Sequence, residues 1–128
     1  MNLINPVKGK ITSMFGSRTH PFGSIKSFHN GVDIALVVGT PIVAPEDGLI
    51  TEVWVHAKGG KSLAMVGDSG KRYGFAHLSV QLKKEGDLVM QGEQIARSGN
   101  TGASTGPHVH LTVKLRNQWV NPTIYFTF

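Results

Sequence analysis

Cysteine is absent from the 128 residues. Disulfides and thiol nucleophiles are therefore excluded, and any bound metal must be held by nitrogen and oxygen ligands. The same absence leaves the redox compartment open. Long apolar runs are missing as well. The longest, Ile34 to Val38, falls far short of the roughly 20 residues that cross a bilayer as a helix, so no membrane insertion is expected. The opening Met1-Asn2-Leu3-Ile4-Asn5-Pro6 lacks a basic stretch followed by an apolar one, so no export signal is expected. No stretch repeats apolar residues at helical spacing for three turns. His-Glu-x-x-His does not occur, which excludes the glutamate base that this motif supplies. A serine nucleophile elbow is not expected either.

The chain does hold sixteen glycines and six prolines, which break it into short pieces rich in Val, Ile and Leu. That pattern reads as a single all-β domain spanning residues 1–128. Strands are expected at Ile11 to Phe15, Val32 to Leu36, Ile42 to Val43, Gly48 to His56, Leu63 to Val66, Tyr73 to His77, Glu93 to Ala96 and His108 to Leu115. Turn signals lie between them, at Lys58-Gly59-Gly60, Gly67-Asp68-Ser69-Gly70, Glu85-Gly86-Asp87 and Ser98 to Gly102. One short helical turn is expected around Leu78 to Leu82. The segments Gly39 to Gly48 and Gly86 to Ala96 echo each other, each placing a glycine, an apolar pair and a turn before another strand. They suggest a core of two similar β-hairpin units, an arrangement also found in biotinyl and lipoyl carrier domains.

The net charge of +5 favours an anionic partner. The basic residues are scattered, with only pairs such as Lys71-Arg72 and Lys83-Lys84, whereas a nucleic-acid surface would be denser and interleaved with aromatics. Nucleic acid is therefore not expected as a partner. A bacterial cell wall fits the charge, and a monomer is expected.

Two clusters carry chemistry. His29-Asn30-Gly31-Val32-Asp33 lies near the front, and His108-Val109-His110 near the end. Two imidazoles and a carboxylate can close three corners of a tetrahedral zinc site, and a fourth corner left to water makes such a site catalytic. His108 and His110 leave the same face of a strand, with Cα atoms about 6 to 7 Å apart, so one ring can bind a metal while its neighbour reaches a water on it. The alternative is a pair of surface histidines on an edge strand. Asp33 sits between Val32 and Ile34 in strand fashion, with His29 in the loop before it. A carboxylate in so apolar a strand is costly without a partner, which a metal ion would supply; the alternative is an aspartate capping a turn. His77 closes Tyr73-Gly74-Phe75-Ala76-His77 and reads as a core or rim histidine unless acid/base work falls to it. His20 reads as a turn residue and His56 as exposed at a strand end.

Taken together these motifs resemble the lysostaphin-type (LytM-type) zinc endopeptidases, which cut peptide cross-links in bacterial peptidoglycan. The resemblance runs from about Gly9 to Pro122. It includes Ile11 to Arg18, Phe28-His29-Asn30-Gly31-Val32-Asp33-Ile34, Gly39 to Ala44, Phe75-Ala76-His77-Leu78, and Ser98 through Pro107-His108-Val109-His110. It implies an antiparallel β core, barrel-sandwich hybrid-like, with a groove walled by loops. It further implies one zinc held by His29, Asp33 and His110, with His77 and His108 as catalytic residues beside the attacked carbonyl. The chain departs from the family at Phe75, where tyrosine is usual, at Leu111-Thr112 for Phe-Glu, and at Gly60-Lys61 for Gly-Asn. None of these is a ligand position.

The implied activity is zinc-dependent hydrolysis of peptidoglycan peptides. A wall-directed enzyme without an export signal fits a bacteriophage lysin released at lysis or carried in the virion, or a domain cut from a secreted enzyme; the phage setting is favoured. A non-catalytic wall-binding module of the same fold is the main alternative. A carrier domain would need a lysine at the Ser98 to Gly102 turn, which has none. A zinc peptidase acting on free proteins would digest casein.

Overall fold

Along Val109, Leu111 and Val113 every side chain is fully buried, while His108 and His110, which alternate with the first two, remain partly exposed. The computed structural model describes residues 2–19 and 26–128. Among them are twelve strands: β1 Lys10–Ser13, β2 Gly16–Thr19, β3 Lys26–His29, β4 Gly31–Ala35, β5 Pro41–Val43, β6 Gly48–His56, β7 Gly60–Gly67, β8 Arg72–Gln81, β9 Leu88–Val89, β10 Gln94–Ser98, β11 His108–Leu115 and β12 Gln118–Val120. A 3₁₀ turn at Pro122–Ile124 follows. No helix among the described residues is long and apolar enough to cross a membrane.

All pairings are antiparallel, as expected of a core without crossover helices. The main sheet runs β1-β4-β11-β8-β7-β6-β9, with β12 beside β11 and with β10 bridging β8 to β5; β2 and β3 form a separate ribbon. The two echoing segments turn out to be each other's partners. Ile42 pairs with Ala96 and Val43 with Gln94, and the Gly92 N–H donates to the Ala44 carbonyl at 2.9 Å.

One face of the sheet is apolar and closed. Val32 and Ile34 of β4, Leu63 and Met65 of β7, and Tyr73 and Phe75 of β8 join the β11 valine–leucine row there, each at 1% exposure or less. Burying such a side chain contributes about 1.5–3 kcal/mol. One carboxylate lies inside. Glu46 is fully buried and accepts hydrogen bonds from the Ser69 backbone N–H at 2.8 Å, the Ser69 hydroxyl and the Tyr73 hydroxyl. Burial alone would raise its pKa, but those three donors outweigh it and hold the carboxyl below its usual range.

The strand over Gly48–His56 and that over His108–Leu115 lie where expected. The helical turn around Leu78 to Leu82 is not formed, because β8 continues to Gln81. Val80 and Gln81 pair with Arg97 and Ala96 of β10, and this distant partner decides the conformation. His29 ends β3 rather than lying in a loop. His56 is exposed at the end of β6, as expected. The expected turn at His20 falls outside the described residues.

Candidate metal centre

Pairing register brings the two sequence clusters together. Asp33 of β4 sits directly opposite His110 of β11, and His110 opposite Ala76 of β8. Residues opposite one another in antiparallel strands share a face, so Asp33 and His110 stand side by side on the open face of the sheet. His29 enters from the end of β3. One ligand atom from each of His29, Asp33 and His110 lies within 4.8 Å of the others. In detail, His110 Nδ1 is 2.8 Å from Asp33 Oδ1 and His29 Nε2 is 3.5 Å from Asp33 Oδ2.

His108, two residues before His110 on the same face, brings Nε2 to 3.9 Å from Asp33 Oδ1. His77 arrives by a different device. Strict alternation after Tyr73 and Phe75 would send its ring into the core. Between Phe75 and Leu78, however, Ala76 and His77 oppose the single residue Ser62 of β7, which is a β-bulge. His77 takes the left-handed backbone conformation there, at φ +62°, uncommon for a residue with a side chain. The bulge turns the His77 ring into the groove and hands the core position to Leu78, which is fully buried. The His77 and His108 ring centres are 4.5 Å apart, and those of His29 and His110 are 4.9 Å apart. All five side chains line one open groove of about 610 Å³.

Backbone carbonyls orient the rings. The carbonyls of Met14, Thr101 and Gly106 accept from the Nδ1–H of His29 (2.9 Å), His77 (2.7 Å) and His108 (2.8 Å) respectively. A carbonyl can only accept, so each of these rings, when neutral, carries its free lone pair on Nε2. His110 is different. Its Nε2 lies 2.8 Å from Asn30 Oδ1, and its Nδ1 faces Asp33. Both nitrogens thus face oxygen acceptors, yet a neutral imidazole has one proton. A cation in place of the missing proton satisfies the second contact, and two imidazoles with one carboxylate are a donor set suited to zinc. The residues present fit such an ion.

Charge in the site follows from these contacts. Burial pushes the Asp33 carboxyl up, but the hydrogen bond and charge of His110, with the His29 and His108 rings beside it, more than offset this and hold it below its usual range. Burial is the largest influence on His77 and draws its pKa below 6.5, with the neighbouring His108 ring adding to it against the Thr101 carbonyl.

Two contributors were not singled out by sequence reasoning. Asn30 lies inside the first cluster but carried no sign that it would reach His110. Thr101 read simply as part of a turn. Its hydroxyl donates to the Leu78 carbonyl and accepts from the Lys61 N–H at 3.1 Å, while its own carbonyl holds His77. The glycines at 60 and 102 make this packing possible, since a Cβ on either would lie 2.4 Å from backbone of the other turn. Gly102-Ala103-Ser104-Thr105-Gly106 does have the Gly-x-Ser-x-Gly spacing. It forms no nucleophile elbow, because the loop joins β10 to β11 with no helix after it, and the Ser104 hydroxyl donates to the Gly106 carbonyl at 2.8 Å.

Residues 27–122 match the family model described as Peptidase family M23. The chain belongs to peptidase family M23. The M23 match covers the end of β3 with β4, β8 and β11, and thus His29, Asp33, His77, His108 and His110 alike. Among characterised M23 relatives, the chain is 38% identical over 113 residues to the peptidoglycan DD-endopeptidase ShyB of Vibrio cholerae, covering 88% of this chain and 26% of that protein. It is 39% identical over 111 residues to the glycyl-glycine endopeptidase ALE-1 of Staphylococcus capitis, covering 85% and 30%. The chain spans about a quarter of the length of the curated relatives it matches first. Among solved structures, a zinc-containing peptidase from Vibrio cholerae superimposes with TM-score 0.83 at 36% identity, over 94% of this chain and 37% of that one. A single-substitution mutant of the catalytic domain of the prophage-encoded M23 protein EnpA from Enterococcus faecalis does so with TM-score 0.78 at 32% identity, over 97% and 98%. The antiparallel all-β architecture is that of the lysostaphin-like M23 structures, among them the lysostaphin catalytic domain of Staphylococcus simulans at TM-score 0.80 and 29% identity over 91% of each chain.

Proposed function

We propose that the 128 residues form a single catalytic domain, a zinc-dependent endopeptidase that hydrolyses peptide cross-links of bacterial peptidoglycan. The observation that carries this reading is the convergence of His29, Asp33 and His110 in one groove with two further imidazoles whose Nε2 atoms face inward. In this reading His29 Nε2, the Asp33 carboxylate and His110 Nδ1 hold one zinc. When bound, zinc supplies a Lewis acid that polarises a carbonyl and makes its water acidic near neutral pH.

The remaining steps fall to the protein. His77 and His108 each hold an Nε2 lone pair toward the groove, because a carbonyl fixes each Nδ1–H. Such a ring takes a proton from attacking water, and once protonated at Nε2 it donates to the oxyanion or to the departing amine. The lowered pKa of His77 keeps that ring neutral, and so able to accept, at neutral pH. The rims stay open to solvent, which suits a flexible cross-link better than a folded protein. The site of action is the cell wall, in keeping with the relatives named for peptidoglycan, and a phage lysin is in keeping with a solved neighbour that is prophage-encoded.

Elemental analysis tests the reading. Purified protein is expected to bind about one zinc per chain, to lose hydrolysis of sacculi on chelation, and to regain it with zinc. Full hydrolysis by a metal-free preparation contradicts it.

A further inference from the structure

The His77 ring reaches the groove because β8 bulges, and a residue with a side chain at φ +62° persists only where its surroundings over-determine it. Hydrogen bonds from two neighbouring segments do so here. The His77 N–H donates to the Gly59 carbonyl at 2.7 Å, and the ring Nδ1–H donates to the Thr101 carbonyl at 2.7 Å. The Thr101 hydroxyl accepts from the Lys61 N–H at 3.1 Å and donates to the Leu78 carbonyl. Lys61 and Leu78 are register partners, the pair that flanks the bulge just after His77. The hydroxyl thus stitches β7 to β8 where the extra residue ends, and all but the first of these bonds belong to Thr101. The residue reaches this point because its loop lies against both strands. A Cβ on Gly99 would lie 2.5 Å from the Ser79 nitrogen, and one on Gly60 would lie 2.4 Å from the Thr101 carbonyl carbon. The Ala103 N–H completes the packing by donating to the Lys58 carbonyl at 2.8 Å.

We propose that Thr101 is the positioning residue of His77: its hydroxyl holds the β8 bulge open, and its carbonyl keeps the ring proton on Nδ1, so that Nε2 faces the groove. The proposal rests on the endopeptidase reading for its catalytic meaning, because only there does His77 exchange a proton. Thr101 itself does not line the groove. Its two contributions are separable. Every residue at this position has the carbonyl, but the hydroxyl both accepts and donates, and among side chains of this length only threonine and serine offer it. Valine keeps the shape and sets a methyl group against the Lys61 N–H and the Leu78 carbonyl. Left unpaired these groups are costly, and they regain a partner by closing on each other. That closure removes the bulge and returns residue 77 to strict alternation, with its ring toward the core.

The His77 ring supplies a readout apart from activity. Its nitrogen-15 resonances show which nitrogen holds the proton, at a pH well above the ordinary imidazole pKa of about 6.5, where the ring is neutral. Wild type is expected to show the proton on Nδ1, and Thr101→Val a mixture of both forms. With zinc added, the rate on labelled sacculi at saturating sacculus concentration is expected to fall about 10²-fold in Thr101→Val, the loss that follows a misplacement of about 1 Å. Zinc content and the half-saturating sacculus concentration are expected to stay as in wild type, since His29, Asp33, His110 and the groove walls are untouched. Thr101→Ser, which keeps the hydroxyl, is expected to recover the Nδ1–H form and most of the rate. A His77 ring unchanged in Thr101→Val overturns the proposal, and so does a changed ring with an unchanged rate. Should the valine variant fail to fold, a wild-type ring protonated on Nε2, or loss of the Nδ1–H form in Thr101→Ser, overturns it as well. A ring that changes as expected, in a protein whose wild type leaves sacculi uncut, overturns the endopeptidase reading and leaves Thr101 as the residue that places His77.

Discussion

Three of the four groove histidines give Nδ1–H to a main-chain carbonyl and turn Nε2 inward, while His110 is turned the other way by Asn30. That reversal makes Asn30 the residue that fixes which His110 nitrogen faces Asp33. Asn30→Ala removes the acceptor without touching a ligand. Zinc affinity is expected to fall about 10–100-fold, the usual cost of losing a partner behind a metal-binding histidine. Competition with a chromogenic chelator measures it, and unchanged affinity contradicts the role. The strand positions of Asp33, His108 and His110 were legible from alternation, whereas His29 was expected in a loop and ends β3. Asn30 and Thr101 were not legible, because what they do depends on partners 80 and 24 residues away.

At the scale of elements, strands carrying several Val, Ile or Leu residues were readable in the sequence, and short or polar ones were not. β2 and β3, Gly-Ser-Arg-Thr and Lys-Ser-Phe-His, form a ribbon with no apolar stripe, and β9 is two residues long. β12 exists because Arg116 and Asn117 both adopt positive φ, 50° and 63°, and close a tight hairpin onto β11. The bulge at His77 was equally hidden, since it is defined by pairing with β7. Elsewhere the Glu46 carboxylate pins the turn between β7 and β8 onto the core through Ser69 and Tyr73. Glu46→Gln puts an amide against donors and is expected to cost about 1–3 kcal/mol in urea unfolding. The folded-state pKa of Glu46 lies below its ordinary 4.5. Its contribution is therefore fully present above that value and is lost as pH falls through the lower folded-state pKa. The variant is expected to show a shallower acid limb than the parent; identical acid limbs would remove Glu46 from the stability of the fold.

For the whole molecule, the fold class and the face carrying the site followed from turn-rich, alternating sequence, and the family resemblance followed from motifs in a fixed order. What the residues alone did not reveal was the groove that gathers the five side chains, which needs β3, β4, β8 and β11 assembled. The charge of +5 also acts at this scale. Raising ionic strength from about 0.01 M to 0.15 M shortens the screening length from about 30 to 8 Å. Binding to anionic sacculi is expected to weaken more than cleavage of a small neutral peptide slows. Equal salt sensitivity of the two would show that net charge has no part in reaching the wall.

The division of labour within one strand is the central claim, and metal content measured beside turnover in His108→Ala and His110→Ala tests it most directly. His110→Ala is expected to lose zinc and hydrolysis together. His108→Ala is expected to keep its zinc and lose about 10²–10⁴ in turnover, as does removal of a positioned acid, base or oxyanion donor elsewhere. A His108→Ala protein without zinc, beside a His110→Ala protein that retains it, would reverse the roles of ligand and catalyst.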